Sequence, residues 1–160
     1  IPNELEYMTS LKILYLKYCS RLRLLPISIG SLLTLKCLNM GGHSKLTLLP
    51  NELSNLKSYT TLIIRRCLSL ISLLNELDNL TSLTIFNIRL CSSLTLLANE
   101  LGNLTSLAIF DIRGYLNLTS FPNELDNLTS LTTFNIRWCS SFTSLLNKLS
   151  NFTSMTTFST

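Results

Sequence analysis

The sequence predicts an α/β solenoid, a stack of like units instead of one compact core. Three observations carry the prediction. A Pro-Asn-Glu-Leu stretch, or a decayed form of it, starts at Pro2, Pro26, Pro50, Leu74, Ala98, Pro122 and Leu146, always 24 residues apart. Each unit switches from three-residue to two-residue apolar spacing, the change from a helical return to a strand. Equivalent apolar positions also fall in columns, so stacking turns each position into a continuous ladder. Six full units from Pro2 and part of a seventh read as a single array over residues 1–160.

The unit that opens at Pro122 shows each element in turn. Leu125, Leu128 and Leu131 follow three residues apart, which suits a short helix or a run of tight turns. Phe134 and Ile136 follow two apart, which suits a strand with alternate side chains inward. Phe142 and Leu145 bring the chain back. One such unit cannot bury its apolar edge alone. Down the stack, one column runs Leu14, Leu38, Leu62, Phe86, Phe110, Phe134 and Phe158, and its neighbour runs Leu16, Met40, Ile64, Ile88, Ile112 and Ile136. The change from Leu to Phe after Leu62 is expected to widen the later turns. No proline falls within a strand, as central parallel strands require. The return side is the bulkier, so a parallel sheet of about seven strands should line the concave face, about 4.8 Å from strand to strand, with short helical or turn segments on the convex face.

Composition agrees. Apolar residues make up 46% and charged residues 14%, which argues for burial and against disorder. No apolar run approaches the roughly 18 residues of a membrane span. The chain begins at the last residue of one unit and stops inside an expected strand. Neither end has the polar cap of a terminal repeat, so the expectation is a fragment of a longer array or an array whose caps lie elsewhere.

Charge is sorted by column. Eight of the nine acidic residues sit in or just after the Pro-Asn-Glu-Leu stretch: Glu4, Glu6, Glu52, Glu76, Asp78, Glu100, Glu124 and Asp126. These belong to the convex side. The ninth, Asp111, is on a strand. Lys17, Arg65, Arg89, Arg113 and Arg137 share the position after the second strand apolar, on the concave face, with Gly41 interrupting them. Arg66 lies beside the column. A neighbouring outward column is polar, with Asn39, Asn87, Asp111 and Asn135, and Tyr15, Tyr18 and Trp138 flank the edge. Like charges about 5 Å apart repel by about 1 kcal/mol in water and more at a protein surface, so the row must fan out or recruit an anion. In the functional reading, this face grips an acidic protein partner through Arg contacts to carboxylate or phosphate. The candidate partner-binding residues are Lys17, Arg65, Arg66, Asn87, Arg89, Asp111, Arg113, Asn135, Arg137 and Trp138. The competing reading is copying, since duplication of one Asn-Ile-Arg unit turns one Arg into four. A net charge of +4 does not by itself imply nucleic acid, and none is expected.

Four of the five cysteines, Cys19, Cys67, Cys91 and Cys139, share the position just after the strand, where His43 and Tyr115 stand in two other units. Cys37 falls instead on an outward strand position. A reduced, buried ladder is the leading reading. A Cys67–Cys91 disulfide and a Cys/His43 metal site are the alternatives, the latter disfavoured because a parallel stack offers no tetrahedral geometry. An odd count without a Cys-x-x-Cys pair favours a reducing compartment. His43 and Tyr115 are oversized, and the preceding Gly41-Gly42 and Gly114 suggest local irregularity there. Asn79, Asn103, Asn117, Asn127 and Asn151 open Asn-x-Thr triplets, read either as glycosylation acceptors or as turn residues whose side chains bond locally. There is no phosphate loop, nucleophile motif or metal-ligand spacing, so no catalytic activity, cofactor or metal is expected.

The unit L-x-x-L-x-L-x-x-C-x-x-L-x-x-L-P-x-x-L-x-x-L-x-x resembles the leucine-rich repeats of plant intracellular disease-resistance receptors. The resemblance covers the whole chain and implies a leucine-rich-repeat horseshoe. It also implies an inward Cys or Asn donating to loop carbonyls, and a role as a recognition module or scaffold. The Pro is lost at Leu74, Ala98 and Leu146. Extracellular plant receptors carry Gly-x-Ile-Pro and a ladder Asn, neither of which recurs here, so the resemblance implies a cytoplasmic location. Two further readings stand beside it: a secreted or cell-surface glycosylated ectodomain for peptide or glycan, and the substrate-binding arm of a larger enzyme such as a ligase.

Overall fold

Seven parallel strands form one sheet in chain order. They are β1 (Ile13–Lys17), β2 (Cys37–Gly41), β3 (Thr61–Arg65), β4 (Ile85–Asn87), β5 (Ile109–Asp111), β6 (Thr133–Asn135) and β7 (Thr157–Ser159). The computed structural model describes residues 3–73, 77, 79–95, 97–115, 118, 121–139, 145 and 152–160. Glu76, Asp78, Asn117, Phe142 and Asn151, and the unit starts at Pro2, Leu74 and Leu146, lie outside the described residues.

The register is the repeat itself. Leu14 pairs with Leu38, Leu38 with Leu62, Leu62 with Phe86, Phe86 with Phe110 and Phe110 with Phe134. Leu38, Leu62, Phe86, Phe110 and Phe134 are buried, as are Met40, Ile64, Ile88, Ile112 and Ile136 beside them. Burying one such side chain contributes about 1.5–3 kcal/mol, and no single unit can do it without a neighbour. From β4 onward the spine is aromatic. Phe86 and Phe110 stack at 5.5 Å between centroids, and Phe110 and Phe134 at 5.3 Å.

The returns are 3₁₀ turns. Among the described residues they span Asn3–Tyr7, Ile27–Ser31, Asn51–Asn55, Asn99–Asn103 and Asn123–Asn127. A 3₁₀ turn eclipses side chains three apart, which is why Leu101, Leu104 and Leu107 all point inward and are buried. Proline or alanine opens the last four of these turns in an extended conformation, and the leucine three residues after each turn's first inward side chain closes it. In the third turn, the Leu56 N–H donates to the Leu53 carbonyl at 3.1 Å. Glu4, Glu6, Glu52, Glu100, Glu124 and Asp126 all lie in these turns, on the convex side.

The position after the strand is a donor ladder. Four of its members reach the backbone carbonyl 27 residues earlier. His43 Nε2 lies 2.7 Å from the Leu16 carbonyl, Tyr115 Oη donates to Ile88 at 2.7 Å, Cys91 Sγ to Ile64 at 3.5 Å and Cys139 Sγ to Ile112 at 3.2 Å. The expected irregularity at His43 and Tyr115 is therefore absent. Both are fully enclosed and make the ladder's own bond with a longer arm. The glycines before them do not mark an exception either. The residue preceding the ladder is left-handed in all six units: Tyr18, Gly42, Arg66, Leu90, Gly114 and Trp138, with φ between 56° and 83°. In the first five its N–H continues the sheet, as from Arg66 to the Arg89 carbonyl at 3.1 Å and from Leu90 to Arg113 at 2.9 Å.

All five cysteines are free thiols, which leaves the Cys67–Cys91 disulfide unformed. Cys67 and Cys91 are buried, but Cys19 is exposed because only one neighbouring unit in this chain covers the first ladder position. The neighbouring Cys67 and burial both push the Cys91 thiol far above the ordinary range, so it stays a protonated donor to the Ile64 carbonyl. Burial holds the Tyr115 phenol well above its usual value, so it stays a donor at any working pH.

Candidate partner-binding face

Alternation along each strand sends three columns to the concave face. The middle column is Tyr15, Asn39, Ile63, Asn87, Asp111, Asn135 and Ser159, and the pairing of strands aligns it residue by residue. Beside it stands the basic column, where Lys17, Gly41 and Arg65 pair in register.

Asn87, Asp111 and Asn135 are partly structural. Each side-chain oxygen accepts a long bond from the N–H two residues on, at 3.4 Å from Arg89, 3.3 Å from Arg113 and 3.4 Å from Arg137. These are Asx turns, and they take the arginine N–H out of the sheet ladder. That is why β4, β5 and β6 stop after three residues, whereas β3, with Ile63 at this position, runs on to Arg65.

The four arginines are not equivalent. Arg113 lays a two-pronged bond on Asp111, with Nε to Oδ1 at 2.9 Å and an Nη to Oδ2 at 2.8 Å. Asn87 also donates to Asp111 Oδ2, at 3.1 Å. The bonds to Asp111 push the Arg113 guanidinium above its ordinary range. Asp111 is almost enclosed, so it serves as a counter-charge within the face and offers little to a partner. Among the described residues this is the one ion pair, and no arginine of the column reaches the acidic convex side.

The column is thereby divided. On the β1–β4 side, Lys17, Arg65, Arg66 and Arg89 gather around a cleft of about 230 Å³, with Asn39 and Gly41 in its lining. Towards β6, Arg89 and Arg113 line a second hollow of about 200 Å³ with Leu90 and Trp138. Trp138 is exposed at its rim and Arg137 beyond it. Tyr15 and Tyr18 stand exposed at the first edge, with the Lys17 ammonium 5.3 Å from the Tyr15 ring. Reading the sequence did not single out Asn39, Gly41, Gly42 and Tyr18 as one site. The signal was the interrupted basic column.

On the opposite side, Asn79, Asn103 and Asn127 are exposed in a shallow convex depression. Backbone bonds close two of these turns, with the Thr105 N–H on the Asn103 carbonyl at 2.9 Å and the Thr129 N–H on the Asn127 carbonyl at 2.8 Å. Among the described residues no group of three His, Cys, Asp or Glu side chains is placed to hold a metal ion. No helix among them is long and apolar enough to cross a membrane.

No family model matches the chain, and no curated protein matches its sequence. Solved structures do. A leucine-rich-repeat protein of Leptospira interrogans superposes with a TM-score of 0.80 at 23% identity, over 98% of this chain and 38% of that one. An internalin of Listeria monocytogenes gives 0.65 at 19% identity, over 99% of this chain and 50% of that one. The leucine-rich-repeat domain of the type III effector XopL gives 0.63 at 19% identity, over 99% and 72%. The chain spans well under half the length of the Leptospira protein. What these likenesses establish, together with the seven-stranded parallel sheet, is that the fold is a leucine-rich-repeat solenoid.

Proposed function

We propose that this array is a protein-recognition module whose concave face takes an acidic segment of a partner. One observation carries the reading. Lys17, Arg65, Arg66 and Arg89 converge on one cleft of the concave face with no carboxylate in its lining, while the described convex turns hold the acids. Clustered cations with no counter-charge attract an anionic partner and speed its arrival. The plant-receptor likeness of the repeat sequence supports a cytoplasmic immune-type scaffold, and the free thiols agree with a reducing compartment. The test is binding of a fluorescent acidic decapeptide. Reversal of Arg65 and Arg89 to Glu should abolish capture, and the wild-type affinity should fall steeply with salt. Unchanged capture by the double variant would leave only the copying explanation.

A secreted ectodomain is the second reading, favoured by the exposure of Asn79, Asn103 and Asn127. Mass spectrometry of protein from its native source decides it, since unmodified asparagines would remove its support.

A further inference from the structure

The strand register places Gly41 between Lys17 and Arg65. A side chain is thus missing at the one point where the basic column would otherwise be continuous from β1 to β6. Neighbouring strands are about 4.8 Å apart, so the backbones that carry the two flanking cations stand about 10 Å from each other across the gap. The second glycine shapes the wall. A Cβ on Gly42 would stand 2.5 Å from Tyr18 Cδ1, so it is the absence of that atom that lets the Tyr18 ring lean over the notch. Arg66 and Arg89 close the far side.

Two polar atoms in the lining are buried and unbonded. They are the Oδ1 of Asn39, a residue only 7% exposed, and the Nε of Arg89. One is an acceptor and the other a donor. Leaving either unpaired costs about 1–3 kcal/mol. Ser28, Tyr59, Glu124 and Asp126 also carry such an atom, and what sets Asn39 and Arg89 apart is their place among cations without a counter-charge. The contrast with Asp111 is direct. There the same column supplies its own counter-anion, whereas around Gly41 no acidic side chain is present.

We propose that the notch at Gly41 is a phosphate-monoester site, shaped to receive the phosphorylated side chain of an extended partner segment. This deepens the concave-face reading and rests on it. A phosphate monoester brings three acceptor oxygens and about −1.5 to −2 charges, which match cations arriving from several directions better than a carboxylate does. Its oxygens accept from the lining cations, and a small turn of the Arg89 and Asn39 side chains brings the enclosed Nε onto the phosphate and the enclosed Oδ1 onto a backbone N–H of the segment.

The experiment is calorimetric titration of the full chain with an acidic phosphoserine peptide, its glutamate twin and inorganic phosphate. The phosphopeptide should bind at least tenfold tighter than the twin, and inorganic phosphate should compete with it. Gly41→Arg is the deciding variant. Its Cβ would sit 3.3 Å from the Arg65 carbonyl oxygen, a contact that asks for only a small adjustment. It adds a positive charge yet fills the notch, so the preference for phosphate should vanish. Tighter phosphopeptide binding by this variant would show that only the general field matters and would overturn the proposal. Lys57→Gln, on the convex side, changes the net charge by one and should keep the preference. Equal binding of phosphopeptide and twin, with Arg65→Glu/Arg89→Glu still abolishing both, would overturn the phosphate site and leave the acidic-partner face standing. Competition by a single-stranded oligonucleotide as strong as by the phosphopeptide would also overturn it, in favour of phosphodiester. Wild-type NMR needs no variant. The Arg89 Nε–H signal should shift on adding inorganic phosphate, and a stationary signal sinks the site.

Discussion

The units that carry β1–β3 and those that carry β4–β6 share a period, a register and a donor ladder, yet they differ on both faces of the sheet. The first group has five-residue strands over a Leu spine, and cations without counter-charge around a missing side chain. The second has three-residue strands over stacked phenylalanines, Asx turns at the strand ends and a neutralised arginine. Columns that point inward set the stability of a repeat, and columns that point outward are free to diverge. The largest test of this difference is in the spine. Phe110→Ala removes a ring stacked on both sides and should cost about 4 kcal/mol in urea unfolding, against about 3 kcal/mol for Leu38→Ala in the Leu half. Part of the excess is the larger buried ring, and part is the aromatic stack, worth about 0.5–1.5 kcal/mol for a pair beyond burial. Equal losses would show that the stack adds nothing.

Within the second half, the donor ladder distinguishes neighbouring units by bond quality. Tyr115→Phe keeps the ring and leaves the Ile88 carbonyl without its 2.7 Å partner. About 2 kcal/mol should be lost. Cys91→Ala removes a weaker thiol bond of 3.5 Å and should cost about 1 kcal/mol. Chemical denaturation reads both, and a neutral Tyr115→Phe would mean that the carbonyl finds another donor.

Asp111 is the residue that divides the outward face. Asp111→Ala frees Arg113 and should make the second half resemble the first. Affinity for an acidic peptide should rise about fivefold, roughly 1 kcal/mol, with a steeper salt dependence. Stability should fall by about 1 kcal/mol, discounted because the Arg113 side chain is partly exposed. A variant that binds no better would show that the notch at Gly41 captures the peptide alone.

Much of this was legible in the residues. The 24-residue step predicts the register of every strand pair, because a column of like apolar residues can be buried only by its own copies. The Asp111–Arg113 pair was legible in principle, since residues two apart on a strand share a face. It was obscured by treating Asp111 as one more member of a polar column. The notch was half legible. Gly41 shows in the sequence as an interruption, but only the lean of Tyr18 over Gly42 makes the interruption a cleft. The left-handed column was misread, because glycine at two of its six positions drew attention to the large residues that follow and away from the backbone they share.

That backbone gives the smallest and cleanest contrast. Trp138 and Gly114 occupy the same place in neighbouring units, at φ 60° and 83°. A residue with a Cβ is held there at a cost of about 1 kcal/mol, and glycine is not. Trp138 is 70% exposed, so its removal forfeits little packing. Trp138→Gly should therefore raise stability by about 0.5–1 kcal/mol, while Trp138→Ala, which keeps a Cβ, should not. Gly114→Ala should lower stability by more than Trp138→Gly raises it, because the added methyl also meets the Leu90 side chain. Thermal melts of the three variants rank them. A gain from Trp138→Gly accompanied by weaker peptide binding would mean that the strained position is kept for the aromatic ring it presents at the rim, next to Arg137. A gain with binding unchanged would mean that the strain is only an inheritance of the repeated turn.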